Sequence, residues 1–248
     1  IREHLLRFAH LFEGINTNLN TFVDLFPVHP NYVSYFERIK HGKSQREILK
    51  VLSVKFQELS EKEVPPSNPG LITYDTYWPD LASNPAMLAI PDIRTVRDKV
   101  DNIMDRINNH FGGARANRKV LASSIAQALA IRILCDDLDK RNGASALSLK
   151  EDLCVTLPNI DQPEFLLDTV ENTAKQLVQA TSGQYVDLDN LSSEYYIRTE
   201  GGINIPQLVR AYADEVLKRD KDQADQYFFD FLQFVLEIHQ DSYRSGFK

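Results

Sequence analysis

Residues 184–198 read QYVDLDNLSSEYYIR, in which two short alternations of polar and apolar residues surround a turn-rich centre. A period of two buries one face of a β-strand, whereas a helix cannot bury such a pattern on one face. The centre, residues 189–193, is rich in Asp, Asn and Ser, which favour tight turns. The stretch therefore predicts a β-hairpin over about 184–198.

Three helical patterns precede this hairpin. The first is a strongly apolar helix over about 118–136, and a short helix follows in which Ser148 is the predicted cap and Glu151 stands three residues on. A third helix is predicted over about 164–181, behind a proline. The predicted inward residues of the first helix are Val120, Leu121, Ile125, Leu129 and Ile133. Three helices and then a two-stranded ribbon is the order of a winged helix, which we predict over residues 116–200.

The rest of the chain also has helical periodicity. Apolar residues three and four apart predict helices over about 1–26, 31–40, 45–62, 91–111, 206–218 and 221–243. Gly14 is a weak spot in the first of these, and Ser44 with Glu47 forms a capping-box pattern. The predicted inward residues of the helix over 45–62 are Ile48, Leu52, Phe56 and Leu59. The fold class is therefore mainly α, a multi-helix bundle plus a winged helix with one small β-hairpin.

A long connector, residues 63–90, carries the aromatic residues Tyr74, Tyr77 and Trp78. One interpretation is that the three rings pack across a neighbouring element, which is usual for a connection of this length. The other is a platform on which nucleobases stack. The sequence favours packing.

Composition limits the protein class. The chain has 248 residues, with 28 Lys and Arg against 35 Asp and Glu, a net charge of −7. It has no secretory signal and no run of about 18 apolar residues, so no membrane contact is expected. The two cysteines, Cys135 and Cys154, have apolar neighbours and suit reduced thiols in a cytoplasm. Because the chain opens without Met inside a periodic segment, we expect it to be part of a larger protein.

The charge distribution weighs against DNA reading by the predicted winged helix. Its third helix offers Glu164, Asp168 and Glu171 against one Lys175. A face of this kind repels phosphates, whereas a DNA-reading helix donates hydrogen bonds, often from Arg or Lys. We therefore favour a structural or protein-contact role for this domain over DNA binding.

No complete enzyme site is apparent. Gly42-Lys43-Ser44 resembles the end of a phosphate-binding loop, but Glu37 stands where such a loop needs glycine, and no predicted strand precedes it. The six histidines show no zinc-binding spacing, and no metal site is predicted. We expect no catalytic residue, cofactor or enzymatic activity in this chain by itself.

Two positions carry hypotheses. Arg46 lies in the predicted first turn of its helix, where the helix dipole disfavours a cation. It either pairs with Glu47 or Glu37 in solvent, or it points outward to an anion such as a nucleotide phosphate held by a neighbouring domain. His29, between Pro27 and Pro30, is predicted to be a structural turn residue that can cap a helix end.

Several collinear segments resemble the large PglY-type ATPases of BREX-like phage-defence islands. They are FVDLFPVHPNY at 22–32, FERI at 36–39, REILKVLS at 46–53, PGLITYDTYW at 69–78, ASAL at 144–147, EDLC at 151–154, SGQY at 182–185 and DQYFF at 225–229. Together these segments span most of the chain. A departure is the run over 131–137, which is more acidic here than in such proteins.

The resemblance implies a position after a P-loop, AAA+-like ATPase core. Residues 1–62 would be a lid-like segment, 63–115 a connector and bridging helix, 116–200 the winged helix and 201–248 a C-terminal helical pair. Pro27, His29 and Pro30 would lead into the lid, and Arg46 would be the sensor of the γ-phosphate. ATP and Mg²⁺ would belong to the parent protein, and none would be a cofactor of this chain.

The resulting hypothesis is a non-catalytic lid and winged-helix region that relays nucleotide state. Its expected partners are the preceding ATPase core of the same chain, other defence-system proteins and, with weaker support, DNA. Two alternatives from other classes remain, a DNA-binding winged-helix module and a helical protein-interaction scaffold.

Overall fold

A computed structural model describes residues 1–39, 45–136, 138 and 141–199, together with 209, 212–216, 228, 231–232 and 234. The chain divides into two compact units, Ile1–Gly202 and Ile203–Lys248. The segments predicted as lid-like, connector and winged helix all lie in the first unit. In the second unit residues 212–216 are helical, and most of the helices predicted over 206–218 and 221–243 lie outside the described residues.

In the part of the chain that the structure describes, the protein is mainly helical with one small antiparallel sheet, as predicted. The α-helices of the first unit are α1 (Arg2–Leu6), α2 (Glu13–Thr17), α3 (Leu19–Leu25), α4 (Pro30–Arg38), α5 (Gln45–Leu59), α6 (Trp78–Ser83), α7 (Pro85–Leu88), α8 (Pro91–His110), α9 (Lys119–Leu134), α10 (Ala146–Leu153) and α11 (Pro163–Ala180). Two 3-10 helices cover Tyr74–Tyr77 and Gly113–Arg118, and the strands are β1 (Val186–Asp189) and β2 (Glu194–Ile197).

The predicted hairpin is confirmed. Strands β1 and β2 pair with Val186 opposite Ile197 and Leu188 opposite Tyr195. Ala144, between α9 and α10, adds one antiparallel bridge to Tyr195 on the other side of β2. Helix α11 packs against β1, and α9 packs against β2 and both other helices. The order α9, bridge, α10, α11, β1, β2 is the order of elements in a winged helix.

Helices α8 and α9 form the centre of the larger core. Five apolar residues of α8, spaced three and four positions apart, are buried: Ile93, Val96, Val100, Ile103 and Ile107. On α9 the prediction is wrong for Val120, which is 72% exposed. This residue belongs to the first turn, and α9 is apolar around its whole circumference, so the apolar pattern alone does not identify a covered side.

The N-terminal helix predicted over 1–26 is instead three short helices, α1 to α3. Gly14 and its Asn and Thr neighbours have low helix propensity. The free amide of Gly14 in the first turn of α2 donates to Glu151 Oε2 at 2.9 Å, which satisfies a group that a continuous helix would bond internally. The three helices bury a smaller apolar cluster around Cys154.

The prediction for α5 is partly wrong. Leu52 is buried, but Phe56 and Leu59 are 41% and 39% exposed. Lys55 of this helix contacts the connector, pairing with Asp80 Oδ2 at 3.1 Å and donating to the Thr76 carbonyl at 2.8 Å. Because α5 contacts the connector through Lys55, the side of the helix that carries Phe56 and Leu59 faces solvent. The side chain of Ile48, the proposed cap Ser44 and the phosphate-loop-like Gly42-Lys43-Ser44 lie outside the described residues.

The other predicted details divide into confirmed and corrected ones. Tyr74, Tyr77 and Trp78 are buried, which confirms the packing interpretation of the aromatic connector. Ser145, not Ser148, caps α10, because its Oγ accepts the amide of Ser148 at 3.1 Å. Ser148 lies inside the helix, where its hydroxyl joins a buried polar network.

Candidate functional site

The sequence singled out Arg46 and the motif of Pro27, His29 and Pro30. Arg46 is the second residue of α5, and its side chain lies outside the described residues. The motif is described in full. Pro30 occupies the first position of α4, where the missing amide hydrogen is no loss. The backbone on either side of Val28 hydrogen-bonds to Ile72, with Ile72 N donating to Pro27 O and His29 N donating to Ile72 O. The motif is therefore attached to the connector.

His29 is the N-cap of α4. Its Nδ1 accepts the amide of Asn31 at 3.1 Å, and its ring lies edge-on to Phe22 with centroids 5.0 Å apart. The ring also lies near the backbone of Glu151 in α10. Burial lowers the pKa of His29, which Asp152 only partly offsets, so the imidazole is neutral with its proton on Nε2. The cap predicted from sequence is present, and it also contacts α10.

Asp152 on α10 is the centre of a buried polar network. Its carboxylate accepts hydrogen bonds from five side chains: Asn31 Nδ2 (2.7 Å), Tyr74 OH (3.3 Å), Arg132 Nη1 (3.3 Å), Tyr35 OH (3.4 Å) and Ser148 Oγ (3.4 Å). These donors come from α4, the 3-10 helix Tyr74–Tyr77, α9 and α10 itself. We call this set the Asp152 network. It joins α4, the helix behind the motif, to α9 and α10.

Arg132 supplies the positive charge of the Asp152 network. Its side chain is only 13% exposed and that of Asp152 only 8%. Besides Asp152, its Nη1 donates to Tyr35 and to Ser148 Oγ, and its Nε donates to the Gly143 carbonyl at 2.8 Å. Removing one partner of such a buried pair leaves the other charge buried without a counter-charge. The free energy of unfolding then falls by about 3–5 kcal/mol.

The two phenols in the network act as neutral donors. Burial, reinforced by the negative charge of Asp152, raises the pKa of Tyr35 and the pKa of Tyr74. Their rings also contact each other, with centroids 4.1 Å apart. Asp152 and its five donor groups are therefore all paired within the protein. An arrangement of this kind holds elements in position; it offers no open nucleophile, base or metal ligand.

Sequence reasoning missed both Arg132 and Asp152. A signal was present, because Arg132 is the only charged residue between Lys119 and Asp136 along the apolar helix α9. A charge on an otherwise buried helix needs a buried partner. The sequence does not identify that partner, because Asp152 is one of many acidic residues that follow Arg132 in the chain.

A second buried carboxylate, Asp75, lies in the 3-10 helix that packs on α9. It accepts the hydroxyl of Thr73 at 2.6 Å, and Ser124 and the amide of Thr76 lie close enough to favour its charged form. Burial raises the pKa of Asp75 in spite of these donors. Its position fixes the connector against α9 next to the Asp152 network.

The outer face of α11, the third helix of the predicted winged helix, is acidic. Glu164 and Asp168 are exposed on α11, and the single Lys175 pairs with Glu171 at 2.6 Å. In the hairpin, Arg198 Nη1 pairs with Asp187 Oδ2 at 3.1 Å. The cations that a nucleic-acid-reading α11 or hairpin would use are thus paired with carboxylates.

Two negative findings apply to the described part of the chain. None of its helices has the length and apolar character needed to cross a bilayer. It also brings together no group of three or more His, Cys, Asp or Glu residues that could hold a metal ion.

Comparison with known families gives one match. Residues 1–203 match the family model described as the DUF6079 second domain. The chain belongs to the DUF6079 second-domain family. This match covers the whole first unit, including α1–α11, the hairpin and the Asp152 network. No curated protein and no solved structure matches this DUF6079 second domain.

Proposed function

We propose that this DUF6079 second domain is the non-catalytic lid and winged-helix region of a PglY-type, phage-defence P-loop ATPase. It relays the nucleotide state of the preceding ATPase core of the same chain to partner proteins of the defence system or to DNA. The observation that carries the proposal is the Asp152 network, because it joins α4 rigidly to α9 and α10. ATP and Mg²⁺ are held by the core, and Arg46 reports the γ-phosphate.

The connector links α5, which carries Arg46, to the network. Lys55 anchors α5 to the connector through the Thr76 carbonyl and Asp80, and Tyr74 of the same connector donates to Asp152. A displacement of α5 by a bound phosphate would therefore be passed to α10 through the connector.

The test is Arg46→Ala in the full ATPase, with Lys50→Ala as the matched control. Lys50 is exposed one turn further along α5, and Lys50→Ala removes the same charge as Arg46→Ala. A charge-assisted bond to phosphate contributes about 1.5–3 kcal/mol, so we expect ATP turnover to fall roughly ten- to a hundredfold for Arg46→Ala only. Equal turnover in both variants would contradict the role of Arg46 as a sensor.

A second candidate function is a helical protein-interaction scaffold, which one observation favours. Helix α5 exposes Leu49 (66%), Val54 (47%), Phe56 (41%) and Leu59 (39%). Exposed apolar side chains repeating along one helix are typical of surfaces that bind other proteins. Two variants of the full-length protein distinguish the two functions. Unchanged ATP turnover in Arg46→Ala, together with loss of partner binding in Phe56→Ser, would favour the scaffold over the nucleotide relay.

A further inference from the structure

The junction between α8 and α9 carries a run of basic residues inside an acidic protein. Between Asp105 and Asp136 the sequence contains Arg106, Arg115, Arg118, Lys119 and Arg132 and no Asp or Glu. Arg132 is used in the Asp152 network, and the other four fall within 106–119. This 14-residue segment therefore has a charge of +4 (four basic, no acidic), against −7 for the whole chain.

The fold brings the two ends of this segment together. Helices α8 and α9 pack against each other and are joined by residues 111–118 alone. The last turns of α8 and the first turn of α9 consequently lie at one end of the pair. Arg106 and Lys119 are exposed there, and Arg118 is half-buried.

No carboxylate of the described chain pairs with Arg106, Arg118 or Lys119. Further back on α8, in contrast, the partly buried Arg97 pairs with Asp101 at 2.9 Å. The difference follows from sequence, because no acidic residue stands three or four positions from any of these three cations. Their charge is available to a ligand.

The surface between them is open. A methyl group placed on Gly112 or Gly113 would meet nothing within 4 Å. The junction has one aromatic ring in its loop, Phe111, and that ring is 1% exposed. Single-stranded nucleic acids are bound by stacking bases on exposed aromatic rings, so this surface suits a phosphate backbone whose bases are already paired.

We propose that the α8–α9 junction binds the phosphate backbone of duplex nucleic acid, independently of sequence, through Arg106, Arg118 and Lys119. Nucleic acid would then be held by the residues that end α8 and begin α9 and not by α11, whose exposed Glu164 and Asp168 repel phosphates. The proposal requires neither the ATPase core nor a nucleotide.

The test is fluorescence anisotropy of a labelled 20-base-pair DNA duplex with the full chain, without ATP. Three to four phosphate contacts give a slope of log affinity on log salt of about −2.7 to −3.6, or about a 40- to 150-fold loss between 50 and 200 mM salt. Arg106→Gln/Arg118→Gln/Lys119→Gln should bind at least about tenfold more weakly at 50 mM salt, with a slope smaller in size by about three.

The matched control removes three exposed cations elsewhere, Lys62→Gln/Arg94→Gln/Lys175→Gln, and should bind like the unmodified chain. A duplex RNA of the same length should bind in the same range, and an unpaired strand more weakly. Each single substitution, confirmed to be folded by thermal melting, should reduce the slope by about one. Equal loss in the control, a preference for the unpaired strand, or no duplex binding at micromolar protein would overturn the proposal.

Discussion

The Asp152 network and the outer face of α11 use the same kind of charge for opposite purposes. Asp152 is buried and accepts five hydrogen bonds from four elements of the fold. Glu164 and Asp168 on α11 are exposed to solvent. A buried carboxylate requires every partner to be in place, so it fixes positions, whereas an exposed one only decides which ligands can approach. The charges that matter for coupling are therefore the buried ones.

The largest expected effect comes from removing the buried carboxylate. Asp152→Ala leaves Arg132 without its counter-charge, and we expect the free energy of unfolding to fall by about 3–5 kcal/mol. Asp168→Ala on α11 is the matched control and should change it by less than about 0.5 kcal/mol. Urea denaturation followed by circular dichroism measures both. Equal effects would remove the contrast between the two regions.

A double substitution sharpens the same comparison. Arg132→Met alone should destabilise strongly, because Asp152 is then buried without a cation. Arg132→Met/Asp152→Leu should recover at least about 1 kcal/mol relative to the sum of the single variants, since buried ion pairs can be replaced by apolar residues of similar volume. Strict additivity in urea denaturation would mean that the two side chains are not energetically coupled.

His29 gives the stability of the chain a dependence on pH. Burial holds the folded-state pKa of His29 below its unfolded value near 6.5, so the unfolded chain takes up the proton first as the pH falls. The stabilisation is complete above about pH 6.5 and is lost as the pH falls toward the folded-state value. His29→Asn keeps a capping side chain, and its melting temperature should fall less between pH 7.5 and 5.5. If the melting temperature of His29→Asn falls between pH 7.5 and 5.5 as much as that of the unmodified chain, this account of His29 is wrong.

The smallest expected effect belongs to Arg46. If it serves a phosphate held by another domain, Arg46→Ala should alter the melting temperature of this chain by no more than an ordinary surface substitution, within about 0.5 kcal/mol. Calorimetry with millimolar ATP and Mg²⁺ should likewise show no saturable binding to this chain. A large loss of stability would instead identify Arg46 as a structural ion-pair residue.

Periodicity predicted most of the fold because most buried positions follow a single rule. The inward residues of α8 and the strands of the hairpin could be predicted, because the buried residues of each element lie on one face. Val120, Phe56 and Leu59 were misassigned because an apolar residue near a helix end looks the same whether or not a neighbour covers it. The break of the first helix into α1–α3 depended on a tertiary contact from Gly14 to Glu151, which no local pattern contains.

The candidate site was less predictable than the fold. The motif at Pro27, His29 and Pro30 was found, because proline geometry acts locally and a histidine between prolines is a recognisable cap. The Asp152 network joins residues up to 121 positions apart, from Asn31 to Asp152. Such a pairing depends on the packing of four elements, and local sequence patterns carry no record of it.

The most direct test of the coupling is native-state amide hydrogen exchange of the chain in low concentrations of denaturant. If the Asp152 network joins α4 to α9 and α10, the amides of Pro30–Arg38 that exchange by opening should do so with the same free energy as those of Ala146–Leu153. In Asp152→Asn, α4 should open at a lower free energy than α9. Independent opening of α4 in the unmodified chain would contradict the account.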